Sequence, residues 1–539
     1  MTEKKRRPIQ NICIAGKALH VATIAAALSR KFMRQNVNIV AINTEAEDAS
    51  VLGEVSLSAL NYFHRFLGLK EHQMMAVTSS TYKLASKYSN WSCNNGSEEA
   101  TPAAPFYHSF SSYGSMIDST AFVHHLTKLR QDQQNYDFTS FSLPAVMARD
   151  GKFVKPDVSQ TSLPFSYAMH VDAFSYAKGM QDYATKLGVK FVSAQIENVD
   201  VKQIPNKDEP SSHATTRKSA THISAIKLSN GARVDAELFI DCTSEGSLIE
   251  KALNVGYEDF SDYLPCDRFM TYKGALQQDM KPCTDMSLHD YGWKRNYPLQ
   301  NHMVYEVFYS SKYLSDEQAV EELLPKQNHA PKNIKDVRIE QQRMGHRTEF
   351  FSGNCVSMGS AAGNLDRLAA SDFHLVQSAV LRLIDLFPDT SLGQRADNAS
   401  RNEYNQLCNE EYARILDYHC THFAIPARKA NELSSSFWQA QKQANLPDSL
   451  TQKFSLFEAS GRIPFYERET FSGSIWTSLL LGLGLIPKQY DVLLDMPPAS
   501  NERSKSAISN IVDTIQTLSD QAPTHKQYLQ QYCMRRTNR

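Results

Sequence analysis

Residues 353–375 read GNCVSMGSAAGNLDRLAASDFHL, a strand, a bare turn and the start of a helix in one run. Cys355, Val356 and Met358 stand among small residues, which is the signature of a short buried strand. Across 359–363 the chain carries almost no side chain, so backbone amides there can approach a cofactor closely. From 372 to 386 the apolar residues Phe373, Val376, Ala379, Val380, Leu383 and Leu386 recur at helical spacing.

The same strand–turn–helix order occurs at the beginning of the chain. NICIA at 11–15 predicts a buried strand, Ile24, Ala25, Leu28 and Phe32 mark a helix face, and VNIVAI at 37–42 predicts a second strand. This β-α-β unit is the dinucleotide-binding arrangement. Of the three fingerprint glycines only Gly16 is present; Ala18 and Val21 occupy the others. Lys17 offers a charge to a phosphate, and Asn43 stands where an acidic residue usually accepts from a ribose hydroxyl. A Rossmann-like unit without a dinucleotide is the alternative these substitutions leave open.

The 539 residues suffice for a large core with two or three units. A net charge of −1 gives no global case for nucleic acid or acidic membranes. Nine Cys without a CxxC pair favour a reducing compartment over disulfides or zinc. The basic residues Lys4 to Arg7 read as a solvated tail with no signal-peptide core after them, and the apolar run 475–486 is too short to span a bilayer. The expected location is cytoplasmic, with neither membrane nor nucleic acid as partner and no metal site: His419 and His422 lack a third ligand.

Motifs along the chain resemble those of the flavin-dependent tryptophan halogenases, from about residue 11 to about residue 495. The 359–363 turn is similar to the family's second flavin motif, and Gly53-Glu54-Val55-Ser56 to its GEAT segment near the flavin. Ser80-Thr81-Tyr82-Lys83-Leu84 resembles the segment presenting the active-site lysine, and Tyr107-His108-Ser109-Phe110 one beside it. The segments 167–173, 237–243, 244–268, 402–422, 454–462 and 475–490 also resemble halogenases.

The resemblance implies an α/β, flavin-monooxygenase-like dinucleotide-binding (Rossmann-type) fold with a mixed substrate-side sheet and a helical C-terminal region. Residues 1–390 would form the discontinuous core, 391–500 the substrate-covering helices and 501–539 a peripheral polar tail. It implies FAD, reduced by a separate flavin reductase, held by Gly16, Lys17, Ala18, Asn43, Gly53, Glu54, Gly359, Ala362 and Gly363. In the family a flavin hydroperoxide yields hypohalous acid, which reaches the lysine beside the substrate; Lys83 stands at that lysine. Tyr107, His108, Trp293, Phe454, Phe457 and Trp476 would line the substrate cavity, with aromatic core as the competing reading. A homodimer follows from family analogy alone.

Three motifs depart from the family. Besides the first glycine-rich turn, WxWxIP reads Trp293, Lys294, Arg295, Asn296, Tyr297, Pro298, and the catalytic glutamate of the Glu-Ser-Thr site is Ala369. Arg295 is expected to bring charge and water into the tunnel, and Arg367 to neutralise Asp366. Asp372 falls at the halide site, where at about 4 Å and an effective dielectric of about 20 it would repel an anion by about 4 kcal/mol. The leading expectation is a family member with weak or lost halogenase activity, acting as a binding or regulatory protein with a small aromatic or a protein as partner, with or without FAD. The alternatives are an active FAD-dependent halogenase of tryptophan, indole or another electron-rich arene using Lys83, and a halide-independent flavin monooxygenase.

Overall fold

The computed structural model describes residues 9–44, 52–91, 105–131, 136–156, 163–204, 220–324, 337–388, 394–428, 435–496 and 501–533. Strand β1 (Asn11–Gly16), helix α1 (Ala18–Phe32) and strand β2 (Asn38–Asn43) form the expected β-α-β unit. β1 lies between two parallel neighbours, β2 and the strand Leu238–Cys242. These belong to a six-stranded sheet completed by Lys190–Ser193 at one edge and by Cys355–Ser357 and Phe351–Ser352 at the other. Strands buried on both faces need continuous apolar sequence, and NICIAG, LFIDC and CVS provide it.

Gly16 is required for a packing reason. At φ +148° an added Cβ would lie 2.1 Å from the backbone carbon and oxygen of Cys242, and a neighbouring strand cannot move aside. The register sets Gly16 beside both Cys242 and Asn43, so one end of the sheet gathers the turn, the Asn and the Asp241 loop. Asp241 fastens that loop. Its carboxylate accepts from the amides of Thr243, Leu248 and Ile249 at 3.0, 2.8 and 2.9 Å and from the Thr243 hydroxyl at 2.7 Å. Val21, the β-branched residue at the third glycine position, is fully buried in the main core.

Two further sheets position residues that the sequence singled out. In a three-stranded one, Gly53–Val55 and Thr81–Lys83 flank Ala168–Asp172, which places Glu54 and Lys83 on either side of a single strand. Asp172 caps the next helix by accepting from the Ser175 amide at 2.7 Å. The seven-stranded mixed sheet includes Gly292–Pro298 and Met303–Tyr309, antiparallel neighbours with Arg295 opposite Glu306. The helix Ser371–Asp385 begins at Ala370, which takes a left-handed φ of +58°. The long helix Gln394–Ala427 and the helices Ser436–Gln443, Asp448–Ser460 and Gly473–Gly482 form the C-terminal cover.

The strands Ile196–Ile204 and Ala220–Leu228 pair antiparallel. The polar hairpin loop expected between them lies outside the described residues over 205–219, as do the basic N-terminal tail and the loop 93–104. No helix among the described residues is long and apolar enough to cross a membrane.

The C-terminal segment departs from the expected peripheral tail. It forms helices Asn501–Gln521 and His525–Tyr532, which bury Ile508, Ile515 and Leu529. His525 is fully buried; its Nε2 accepts from the Tyr82 amide at 3.2 Å and its Nδ1 lies 2.9 Å from the Met280 carbonyl. A polar composition hid this because three apolar contacts and one histidine suffice to dock an amphipathic helix. Deleting 501–539 is therefore expected to destabilise the protein by at least about 3 kcal/mol, since each buried Leu or Ile is worth about 1.5–3 kcal/mol. Urea denaturation of the truncated and full-length chains measures the difference.

Candidate active site

The C-terminal ends of β1 and β2, the beginning of α1 and the 359–363 turn enclose a cavity of about 270 Å³. Lys17, Ala18, Asn43, Glu54, Gly359 and Gly363 line it. So do Arg367 and His20, of which the sequence did not single out His20. Gly359 has φ +59°, and a Cβ there would lie 2.3 Å from His20 Nδ1, so the imidazole rests on bare backbone. Burial and the charges of Lys17 and Arg367 push His20 down to about 3. His20 Nδ1, Asn43 Oδ1 and Glu340 Oε1 are buried without hydrogen-bond partners. Unpartnered buried polar atoms are rare. A ribose hydroxyl reaching this wall would donate to Asn43 Oδ1, and a phosphate oxygen would accept from an Nδ1–H of His20, so the residues present fit a dinucleotide.

Across the cavity stands a buried ionic cluster. Arg367 is 2.8 Å from Glu54, 3.8 Å from Glu306 and 3.5 Å from Asp372. Arg295 is 2.5 Å from Glu306 and donates to the Arg367 carbonyl at 2.7 Å. Burial pushes the Asp366 carboxyl up to about 7, against the pull of its hydrogen bonds with the Trp293 indole at 3.3 Å and the Leu368 amide at 3.2 Å.

Behind this cluster lies a second cavity of about 120 Å³. Its lining includes Lys83, Tyr88, His108, Phe110, Leu368, Ala369, His374, Tyr418 and Phe471. Arg367 faces the first cavity while Leu368 and Ala369 face the second, so the short turn Arg367–Ala369 is part of the wall between them. Lys83 is 3% exposed, with its ammonium 5.0 Å from the Phe110 ring centre. Burial, then the Arg295 charge, lowers Lys83 to about 7, with Cys283 acting in the opposite sense. A neutral amine and an ammonium are therefore both accessible to Lys83 near neutral pH.

The tryptophan halogenase family model matches residues 11–499. This chain belongs to the tryptophan halogenase family. The tryptophan 7-halogenase RebH of Lentzea aerocolonigenes is 24% identical over 536 residues, covering 94% of this chain and 96% of that protein. Among solved structures, the flavin-dependent halogenase BrvH of Brevundimonas sp. BAL3 matches at 26% identity and a TM-score of 0.84, covering 97% of this chain and 99% of that one. Xcc4156, a flavin-dependent halogenase of Xanthomonas campestris, matches at 26% and 0.85, covering 98% and 99%. Halogenases of this family use FAD, a separate flavin reductase and a small aromatic substrate.

Set against the halogenase motifs, the expected residues divide. Gly16, Gly53 and Ala362 stand behind the larger cavity and are not in its lining. Lys17 is 3.7 Å from Glu340, so part of its charge is already engaged. In the smaller cavity the structure brings together Lys83, His108 and Ala369. Tyr107, next to His108 on a strand, points to the opposite face. Trp293 is fully buried, stacked on Phe308 at 3.9 Å, and shields Asp366 instead of facing the cavity. Phe454 and Phe457 belong to the helical core, and Trp476 is buried under the Lys453 ammonium at 3.7 Å. His419 Nε2 is 3.2 Å from Ser371 and His422 Nε2 is 2.9 Å from Tyr88. Among the described residues no group of three or more His, Cys, Asp or Glu could hold a metal.

Three electrostatic expectations change. Arg295 is 2% exposed and paired, so it fills the space with charge but admits no water. Arg367 turns away from Asp366 towards Glu54, because Asp366 already serves Trp293 and Leu368. Asp372 lines the larger cavity, paired with Arg367, and is not in the lining of the Lys83 cavity. Single-position reading missed all three because the partners are distant in sequence. Glu306→Gln should destabilise the protein by about 3–5 kcal/mol, leaving Arg295 and Arg367 short of a counter-charge; urea midpoints measure this. Lys83 contributes a pH dependence of its own. Its folded pKa lies below the unfolded value, so stability should fall as pH drops from about 10 to about 7. Lys83→Met should flatten that slope in the same assay.

Proposed function

We propose that this protein binds FAD in the larger cavity and a small, single-ring aromatic in the smaller one, and that halogen transfer at Lys83 is weak or absent. The observation that carries this reading is the composition of the Lys83 cavity: its described lining contains no carboxylate, and Ala369 stands where the family's glutamate is expected. A positioned acid or base is worth about 10²–10⁴-fold in rate. On the other side of the wall, Glu54, Glu306 and Asp372 are held by Arg367 and Arg295.

When bound and reduced, FAD supplies oxygen activation, and a reductase partner would keep it reduced. Asn43 and His20 would hold the dinucleotide, with Lys17 near its phosphates. The chain's own part is to keep water from Lys83, to present its amine beside the aromatic walls, and to separate the two cavities with Arg367. A binding role, with residual or no turnover, follows from an intact cavity that lacks its acid.

Oxidised and reduced FAD should each bind saturably in a fluorescence titration; no binding of either would overturn the flavin half of the reading. In a bromide-dependent assay with a flavin reductase and phenol, Ala369→Glu should raise turnover by about 10- to 100-fold over the natural chain. A natural chain that already brominates rapidly and gains nothing from the glutamate would overturn the other half.

A further inference from the structure

Two imidazoles face the Lys83 cavity, and they differ in what remains free on them. His108 Nε2 is 3.2 Å from the Ile475 carbonyl and 3.1 Å from the Ser478 hydroxyl, so it is engaged in its own wall. The Tyr88 hydroxyl is likewise committed to His422 at 2.9 Å. His374 is different. Its Nε2 is 3.2 Å from Glu411 Oε1, while its Nδ1 is buried with no partner. Glu411 is anchored in turn by the Ser378 hydroxyl at 2.9 Å and Arg382 at 3.0 Å. Burial alone would raise the Glu411 carboxyl, but the His374 and Arg382 contacts outweigh it and bring it down to about 2. With Glu411 accepting at Nε2, the neutral imidazole carries its proton on that nitrogen and keeps a lone pair at Nδ1.

The cavity's size narrows its ligand. An apolar cavity of about 150 Å³ holds benzene, and this one, at about 120 Å³, has room for one aromatic ring. Phe110, Phe471, Leu368 and Ile475 provide apolar walls. Lys83 provides a cation and His374 a proton acceptor; among the described lining there is no anion to oppose a negative ligand.

We propose that the Lys83 cavity is a phenol site, in which His374, positioned by Glu411, takes the hydroxyl proton and Lys83 holds the resulting phenolate. The O–H bond breaks, an Nδ1–H bond forms, and the phenolate oxygen rests against the Lys83 ammonium, with no oxidant consumed. The site needs the cavity to bind an aromatic, as proposed above, but needs no halogenation. It also explains how a cavity without the carboxylate could still activate a ring, because a phenolate is more electron-rich than a phenol.

The test is a spectrophotometric titration of the full chain with 4-nitrophenol, about one pH unit below the phenol's own pKa. The expected result is a phenolate absorption band that grows with bound ligand. His374→Gln and Lys83→Met should each weaken phenolate capture roughly 10- to 100-fold, as expected for a hydrogen bond or ion pair to a charged group. Glu411→Gln, which keeps the shape but frees the tautomer, should lose the band in part. The methyl ether 4-nitroanisole should bind the natural chain and His374→Gln equally, which shows that the cavity survives the substitution. A bound phenol that stays neutral, or a band unchanged in His374→Gln, would overturn the proposal. Failure of both the phenol and the ether to bind would overturn the aromatic-binding reading itself.

Discussion

Arg367 is the group on which the centre of this molecule depends. Its guanidinium is 5% exposed and lies among Glu54, Glu306 and Asp372, which come from three different parts of the fold. An isolated charge in such a place would be prohibitive, because removing an ion from water costs several kcal/mol even after relaxation. Each member is tolerable only because the others are present. Arg295 extends the arrangement by sharing Glu306 and by bonding the Arg367 carbonyl, which pins the turn Arg367–Ala369 as well as the side chain.

That turn gives the cluster its functional weight. One residue, Arg367, belongs to the dinucleotide-like cavity, and the next two belong to the Lys83 cavity. A wall of paired charges thus stands between the two cavities. The Lys83 cavity itself is small, and its described lining has basic groups but no carboxylate. Its amine is held near neutrality by burial, and its imidazole pair, His374 with Glu411, lies on the helix immediately after the turn.

Several of these features were legible residue by residue. The β-α-β unit, Gly16 and the bare 359–363 turn follow from local patterns whose physics is local: strand burial and backbone approach. The charged residues were legible only as departures. Arg295 read as an opening to water, but Glu306 on the adjacent strand removes that role; Arg367 read as a partner for Asp366, yet Trp293 had already taken it. His374 carried no sequence signal, since a histidine on an amphipathic helix is usually core, and Glu411 stands far along the chain.

The sequence by itself determined the family and the Rossmann-type architecture, because those depend on periodicity and on motifs within a few residues. Only the tertiary structure decided which charges neutralise one another, which aromatics are core and which are cavity, and that the C-terminal helices are docked rather than loose. Those outcomes are set by contacts between segments tens to hundreds of residues apart. A buried ion or ring takes its role from its partners, and no local pattern encodes them.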